Sequence, residues 1–161
     1  MDNIIKSIII SILLIISIID YKKMIIPDGL VSILIIISLI YHYNEFNKYQ
    51  NINSIIESIK GFSFIIISFS LIYFIKKDSI GHGDFKLFLA IALLFNFKDM
   101  IMIFIMSFNI AAVISALLIV FKKKTRNDII PFAPFISIST ILVILYSNQI
   151  IQRIENLIIM R

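Results

Sequence analysis

Cysteine is absent from the 161-residue chain, which excludes disulfides and thiolate metal sites. Glycine (four) and proline (three) are scarce. No low-complexity linker or internal repeat divides the chain, so residues 1–161 read as one membrane-embedded domain. Acidic residues number ten against fifteen basic ones. No ionisable residue lies halfway along the apolar segments 30–43, 59–75, 100–121 or 129–148. A channel would place acids at successive depths, so this pattern argues against one. A small-residue cleavage site is also lacking. The apolar run Ile4–Ile19 continues directly into Asp20-Tyr21-Lys22-Lys23, which does not fit a cleaved signal peptide.

What fills the chain is apolar. Hydrophobic residues make up 60% of it and the mean hydropathy is +1.01. A soluble domain of this size has no use for so much apolar surface; the excess faces lipid. The 45 isoleucines, with many Lys, Asn and Phe, read as the codon bias of an AT-rich genome. The net charge of +5 marks cytoplasmic loops rather than a nucleic-acid partner. Six candidate spans follow: 4–19, 30–43, 59–75, 85–97, 100–121 and 129–148. The expected fold class is therefore all-α, a polytopic membrane protein of about six transmembrane helices. Segments 30–43 and 85–97 are short against the roughly 20 residues a span needs. The second of these also reads as a re-entrant element, or one that begins inside a protein-lined cavity. Residues 52–60 and 150–161 read as amphipathic segments along the outer surface, or as helix extensions anchoring the spans.

Charge sets orientation. The loops after spans 1, 3 and 5 carry Lys22 and Lys23, Lys76 and Lys77, and Lys122, Lys123, Lys124 and Arg126. These are eight of the fifteen basic residues. The positive-inside rule places those loops in the cytoplasm and both termini outside. Asp20 and Asp84 then share the cytoplasmic side. If span 4 ends near Phe97, Asp84 lies about 20 Å back along it and about 10 Å below the boundary of a roughly 30 Å hydrocarbon layer. The same sum from Ile4 puts Asp20 about 6 Å below it.

A carboxylate at the bilayer edge or below it costs free energy, about 2.5–3.5 kcal/mol at a helix centre even on the lenient scale. Two of them on separate segments suggest a paired-carboxylate site. Two carboxylates sharing a site do not both ionise easily. One stays protonated as an acid while the other takes a proton from water, the logic of aspartic proteases. Such a site needs neither metal nor cofactor. Gly81 and Gly83 let the backbone turn tightly and approach a substrate. Asp84 also reads as the N-cap of the following helix. Asp28, in Pro27-Asp28-Gly29, reads as an N-cap, with Pro27 fixing the turn. Lys86 reads as a snorkelling or loop-tethering cation. His82 and His42 lack partners for a metal site. Asp78 and Asp128 read as loop charges, and Asn109 as a buried interhelical hydrogen bonder.

Three strings then carry a resemblance: Asp20-Tyr-Lys-Lys-Met-Ile-Ile-Pro-Asp28, Gly81-His-Gly-Asp84-Phe-Lys86-Leu87 and Pro131-Phe-Ala-Pro134-Phe. Together and in this order they resemble the type IV prepilin leader peptidases, polytopic aspartic proteases of the GxGD kind. The resemblance covers essentially the whole chain. It implies Asp20 and Asp84 as the catalytic pair, with Pro27, Asp28, Gly81, Gly83, Lys86, Pro131 and Pro134 supporting the site. It also implies type IV pilin-like precursors as substrates, cut after a leader glycine at the cytoplasmic face. The family's third motif usually reads PFGPF, and here Ala133 replaces the glycine. Many members carry a cytoplasmic domain with paired cysteines and N-methylate the new amino terminus. This sequence has no cysteine, so the resemblance implies a short form, and methyl transfer is not implied. Two other readings stay open from the residues: an ion- or proton-translocating membrane protein, and a non-catalytic pilus-assembly subunit.

Overall fold

A computed structural model of the chain describes residues 3–50, 52–75, 81–122, 125 and 128–159, with Tyr49 and residues 147–159 described by backbone alone. Six helices follow in order: α1 Asn3–Lys23, α2 Asp28–Tyr49, α3 Asn53–Ile75, α4 His82–Ala92, α5 Phe97–Val120 and α6 Ala133–Ile159. Among the described residues α1, α2, α3 and α5 are long and apolar enough to cross a membrane. The apolar part of α6, Ala133–Tyr146, is shorter. Of the about six spans expected, the described residues show four long candidates and the shorter apolar part of α6, while α4 is too short to cross.

α4 explains the difference. Its 11 residues rise only about 16 Å, well short of the hydrocarbon thickness. It is also the interior of the bundle, packed against α2, α3, α5 and α6. Leu87, Phe88, Ala90, Ile91 and Ala92 are all fully buried. The chain turns at 93–96, so no span runs from Asp84 to Phe97 and the depth sum for Asp84 loses its footing. The continuous apolar run 85–97 reads as a span because hydropathy does not distinguish lipid from neighbouring helices as an apolar environment.

The other helices each bury one stripe and leave the rest apolar toward lipid. In α1 the buried residues are Ile9, Ile12, Leu13, Ile16 and Asp20, a three-and-four spacing that marks one helical face. Ile8, Leu14, Ile15 and Ile18 point outward and are exposed. Phe74 and Ile75 at the end of α3 are each 85% exposed. Because lipid is as apolar as leucine, close packing and internal hydrogen bonds must hold such helices together. Small polar residues supply some of both. Ser139 and Thr140 are buried in α6 and donate to the carbonyls of Phe135 and Ile136, each at 2.8 Å. Ser137 donates across to the Leu13 carbonyl of α1 at 3.1 Å. A chain of phenylalanines, Phe69, Phe88, Phe104, Phe108 and Phe132, links α3, α4, α5 and the approach to α6, with ring centroids 4.8–6.4 Å apart.

Residues 52–60 fall almost wholly within α3, so the helix-extension reading is the one realised; Ile52, Ile56 and Ile59 are exposed. In 150–161, α6 continues to Ile159, while the side chains lie outside the description. Lys76, Lys77, Asp78, Lys123, Lys124 and Arg126 also lie outside the described residues. Asn109 is exposed, not buried, and its amide donates to the Ile105 carbonyl of its own helix at 2.8 Å. Asp128 Oδ2 accepts from the Thr125 backbone.

Glycine scarcity leaves a mark at the helix ends. Met24, Gln50 and Lys122 adopt the left-handed conformation, with φ of 55°, 46° and 55°. Their backbone N–H groups close the last turns of α1, α2 and α5, at Asp20, Phe46 and Ile119. Glycine is the residue that usually takes this position, since a side chain there costs roughly 1–2 kcal/mol.

Candidate active site

Asp20 is set by the α1 stripe. It lies four residues after Ile16, on the face that meets α6 and α2, and is buried. α1 continues one further turn through Lys23. Asp20 is therefore inside the helix and not at the end of the apolar run, where the sequence alone puts it.

Asp84 is set by α4. It lies in the first turn, three and four residues before the buried Leu87 and Phe88. Gly81 occupies the N-cap, which corrects the expectation that Asp84 caps this helix. A carboxylate in the first turn still meets the favourable end of the helix dipole.

The two side chains line one cavity of about 380 Å³, with Met24, Gly81, Phe108, Ile129, Ile130, Pro131 and Phe132. Two carboxylates that share a cavity do not both ionise easily. The walls are otherwise apolar or backbone. Among the described residues no three His, Cys, Asp or Glu side chains gather as a metal site.

The third motif reaches the site through its backbone. Phe132 caps α6: its carbonyl accepts from Phe135 and Ile136. The first N–H groups of a helix have no partner within it. That of Ala133 donates to Asp20 Oδ2 at 3.1 Å, in a buried position. Pro134, next in line, carries no N–H. The string PFAPF thus points one backbone donor and a helix N-terminus at one carboxylate. Both support negative charge there.

The glycines act through space, not through unusual backbone. No glycine among the described residues has positive φ. Gly81 has φ −65° and ψ 136°, which any residue adopts. A Cβ built on it would sit 2.9 Å from Asp84 Oδ2. A Cβ on Gly83 would sit 3.2 Å from the Cβ of the buried Ile26. Of the two roles expected for them, the tight turn is not needed by this backbone, and the close approach is to Asp84 and Ile26.

Pro27, not Asp28, takes the N-cap position of α2, with φ −67° and ψ 122°. Asp28 stands in the first turn and receives Lys86 Nζ at 2.9 Å. Lys86 is thus a tether between α2 and α4, one of the two roles read for it. His82 is exposed beside the site. His42 lies at the far end of the bundle, where its Nε2 is 2.8 Å from the Leu93 carbonyl.

Sequence reasoning did not assign the Ala133 N–H, or the walls Met24, Phe108, Ile129, Ile130 and Phe132. The PFAPF string was the available signal for the first. The remainder depend on which helices pack together.

Residues 7–120 match the type IV leader peptidase family. The chain is 29% identical over 135 residues to a prepilin leader peptidase/N-methyltransferase of Legionella pneumophila, covering 83% of this chain and 46% of that protein. It is 31% identical over 75 residues to one of Xanthomonas campestris pv. campestris, covering 47% and 26%. One from Aeromonas salmonicida is 26% identical over 137 residues, covering 82% and 45%. The chain thus spans less than half the length of these curated relatives. No solved structure matches. The family match takes in well over half of the chain and includes both aspartate strings, and the chain belongs to the type IV leader peptidase family.

Proposed function

We propose that the chain is a membrane aspartic endopeptidase that removes the short basic leader of type IV pilin-like precursors, with Asp20 and Asp84 as its catalytic pair. The observation that carries this reading is the shared cavity. Two carboxylates 64 residues apart in sequence, one on α1 and one on α4, line one space of about 380 Å³ with apolar walls. Charged side chains are expensive in such surroundings, and a site with a use for them is the ready explanation of both.

The Ala133 N–H and the α6 N-terminus favour Asp20 as the ionised partner. Asp20 then takes a proton from the attacking water while Asp84, protonated, donates to the scissile carbonyl oxygen. Collapse of the tetrahedral intermediate returns a proton to the leaving amine. Gly81 leaves room for Asp84, and Gly83 lets α4 lie close against Ile26. Pro27, Asp28 and Lys86 hold α2 to α4 beside the cavity, and Pro131 and Pro134 shape the approach to Ala133.

The cavity is assigned to the cytoplasmic face, with both termini outside. Lys22 and Lys23 end α1 at this level, and Lys122 follows α5. The segments joining α3 to α4 and α5 to α6 add five more basic residues. Substrate leaders would approach from the same side for the same positive-inside reason. Methyl transfer, named in the relatives, is not part of the proposal.

Co-expression with a pilin-like precursor tests the reading by gel shift. Wild-type chain should shorten the precursor, and Asp20→Ala and Asp84→Ala should not while still inserting in the membrane. An unshortened precursor with wild-type chain, across several pilin-like candidates, would overturn it.

A further inference from the structure

At the opposite end of the bundle lies a second cavity, about 370 Å³, that the proposed chemistry does not use. Lys6 on its wall and Asp20 at the first site are fourteen residues apart on α1, about 21 Å along the axis. His42 from α2, Ser54 and Ser58 from α3, and Asn96 and Asp99 at the start of α5 line it.

Three buried polar atoms here have no hydrogen-bond partner: His42 Nδ1, Ser54 Oγ and Asp99 Oδ1. Among the described residues these are the buried side-chain atoms of that kind, and all three residues line this one cavity. Asp99 is only 8% exposed. Its other oxygen is taken, accepting from Asn96 Nδ2 at 2.9 Å, while the Asn96 side chain caps α5 by accepting from the Asp99 backbone at 2.8 Å. Oδ1 is left without a donor in the fold. His42 is fixed at Nε2 by its partner. The Leu93 carbonyl, 2.8 Å from Nε2, can only accept, so Nε2 carries the proton. In the neutral ring Nδ1 is then a lone pair, a second acceptor. Ser58 donates to the Phe95 carbonyl, which leaves its oxygen able to accept from Nε2 and is consistent with that tautomer. Ser54 Oγ offers a third acceptor.

Three acceptors, one of them a buried carboxylate, call for a compact cation with three donors. A primary ammonium has that inventory; a trimethylated ammonium has none of it. Lys6 on the same wall supplies a charge for an anion beside the ammonium. The cavity lies at the ends of the membrane-crossing helices, the level of lipid headgroups, and its lining includes Leu145, 58% exposed on the lipid side of α6. We propose that this second cavity binds the phosphoethanolamine headgroup of a membrane phospholipid, its ammonium held by Asp99, His42 and Ser54.

The test is native mass spectrometry of the purified full chain in detergent, with dioleoyl phosphatidylethanolamine or dioleoyl phosphatidylcholine added at equal concentration. The ethanolamine lipid should be retained at least tenfold over the choline lipid. Ser54→Ala should lower that ratio at least threefold, and Asp99→Asn should lower it further. The Ser54 hydroxyl has no partner in the fold, so its loss leaves the fold intact even if Asp99→Asn disturbs the α5 cap. Soluble phosphoethanolamine should not displace the lipid at equal concentration. If it does, the ammonium site stands and the lipid assignment falls. Equal retention of the two lipids, or a ratio unchanged in both variants, would overturn the proposal.

Discussion

Gly81→Ala separates the chemistry from the fold. Alanine adopts φ −65° and ψ 136° without strain. Its methyl would stand 2.9 Å from Asp84 Oδ2 and 3.8 Å from its Cγ, where ordinary contact begins near 3.4 Å. The atom in the way is the end of a side chain, so the carboxylate retreats by about 0.5 Å and the backbone stays. Catalytic geometry is sensitive on this scale: a 1 Å misplacement costs up to about a hundredfold. Half of that displacement corresponds to about a tenfold loss of rate. Stability should be unchanged or raised, because replacing glycine at an unstrained position is worth about 0.4–1 kcal/mol through the unfolded chain. The assay is the initial rate of precursor cleavage in detergent micelles, read beside the thermal unfolding midpoint. A variant at wild-type rate would refute the placement of Asp84 against Gly81. A variant losing activity only because it unfolds would refute the claim that the fold tolerates the methyl.

Gly83→Ala should behave in the opposite way: its methyl meets the Cβ of Ile26, which cannot swing aside, so α4 and the connection between α1 and α2 must separate, lowering stability by about 1–3 kcal/mol in a thermal or denaturant melt. Asp28→Ala removes only the pair with an exposed Lys86, worth about 0–1 kcal/mol, and cleavage should stay within a few-fold of wild type. Gln50→Gly relieves a left-handed side chain at the end of α2, far from the site, and should raise the melting midpoint by the equivalent of about 1 kcal/mol without altering cleavage.

Much of the site is written in spacing. Ile9, Leu13 and Ile16 put Asp20 on the inward face of α1, and Leu87 and Phe88 do the same for Asp84 in α4. What spacing does not reveal is that α4 is interior and not a span. Phe88 and Ile91 are as apolar as lipid-facing residues, and only packing distinguishes them. The Ala133 donor was hidden for another reason. A backbone N–H has no residue signature, and its orientation depends on where α6 begins. The second cavity was missed because His42 and Asp99 lie 57 residues apart and come together only through the fold. At Gly81 the backbone has angles that any residue adopts, and what glycine supplies is the missing Cβ beside Asp84.

Asp20 and Asp84 are proposed to act together as acid and base in one cavity. Asparagine keeps the size and shape of each side chain but cannot trade a proton. The most direct measurement is therefore the cleavage rate of a pilin-like precursor by purified Asp20→Asn, Asp84→Asn and Asp28→Asn chains, compared with wild type. The expected result is loss of at least a thousandfold in each of the first two, equal loss in the Asp20→Asn/Asp84→Asn double variant, and near wild-type rate in the third. Cleavage by either folded single variant at a tenth of the wild-type rate or more would contradict it.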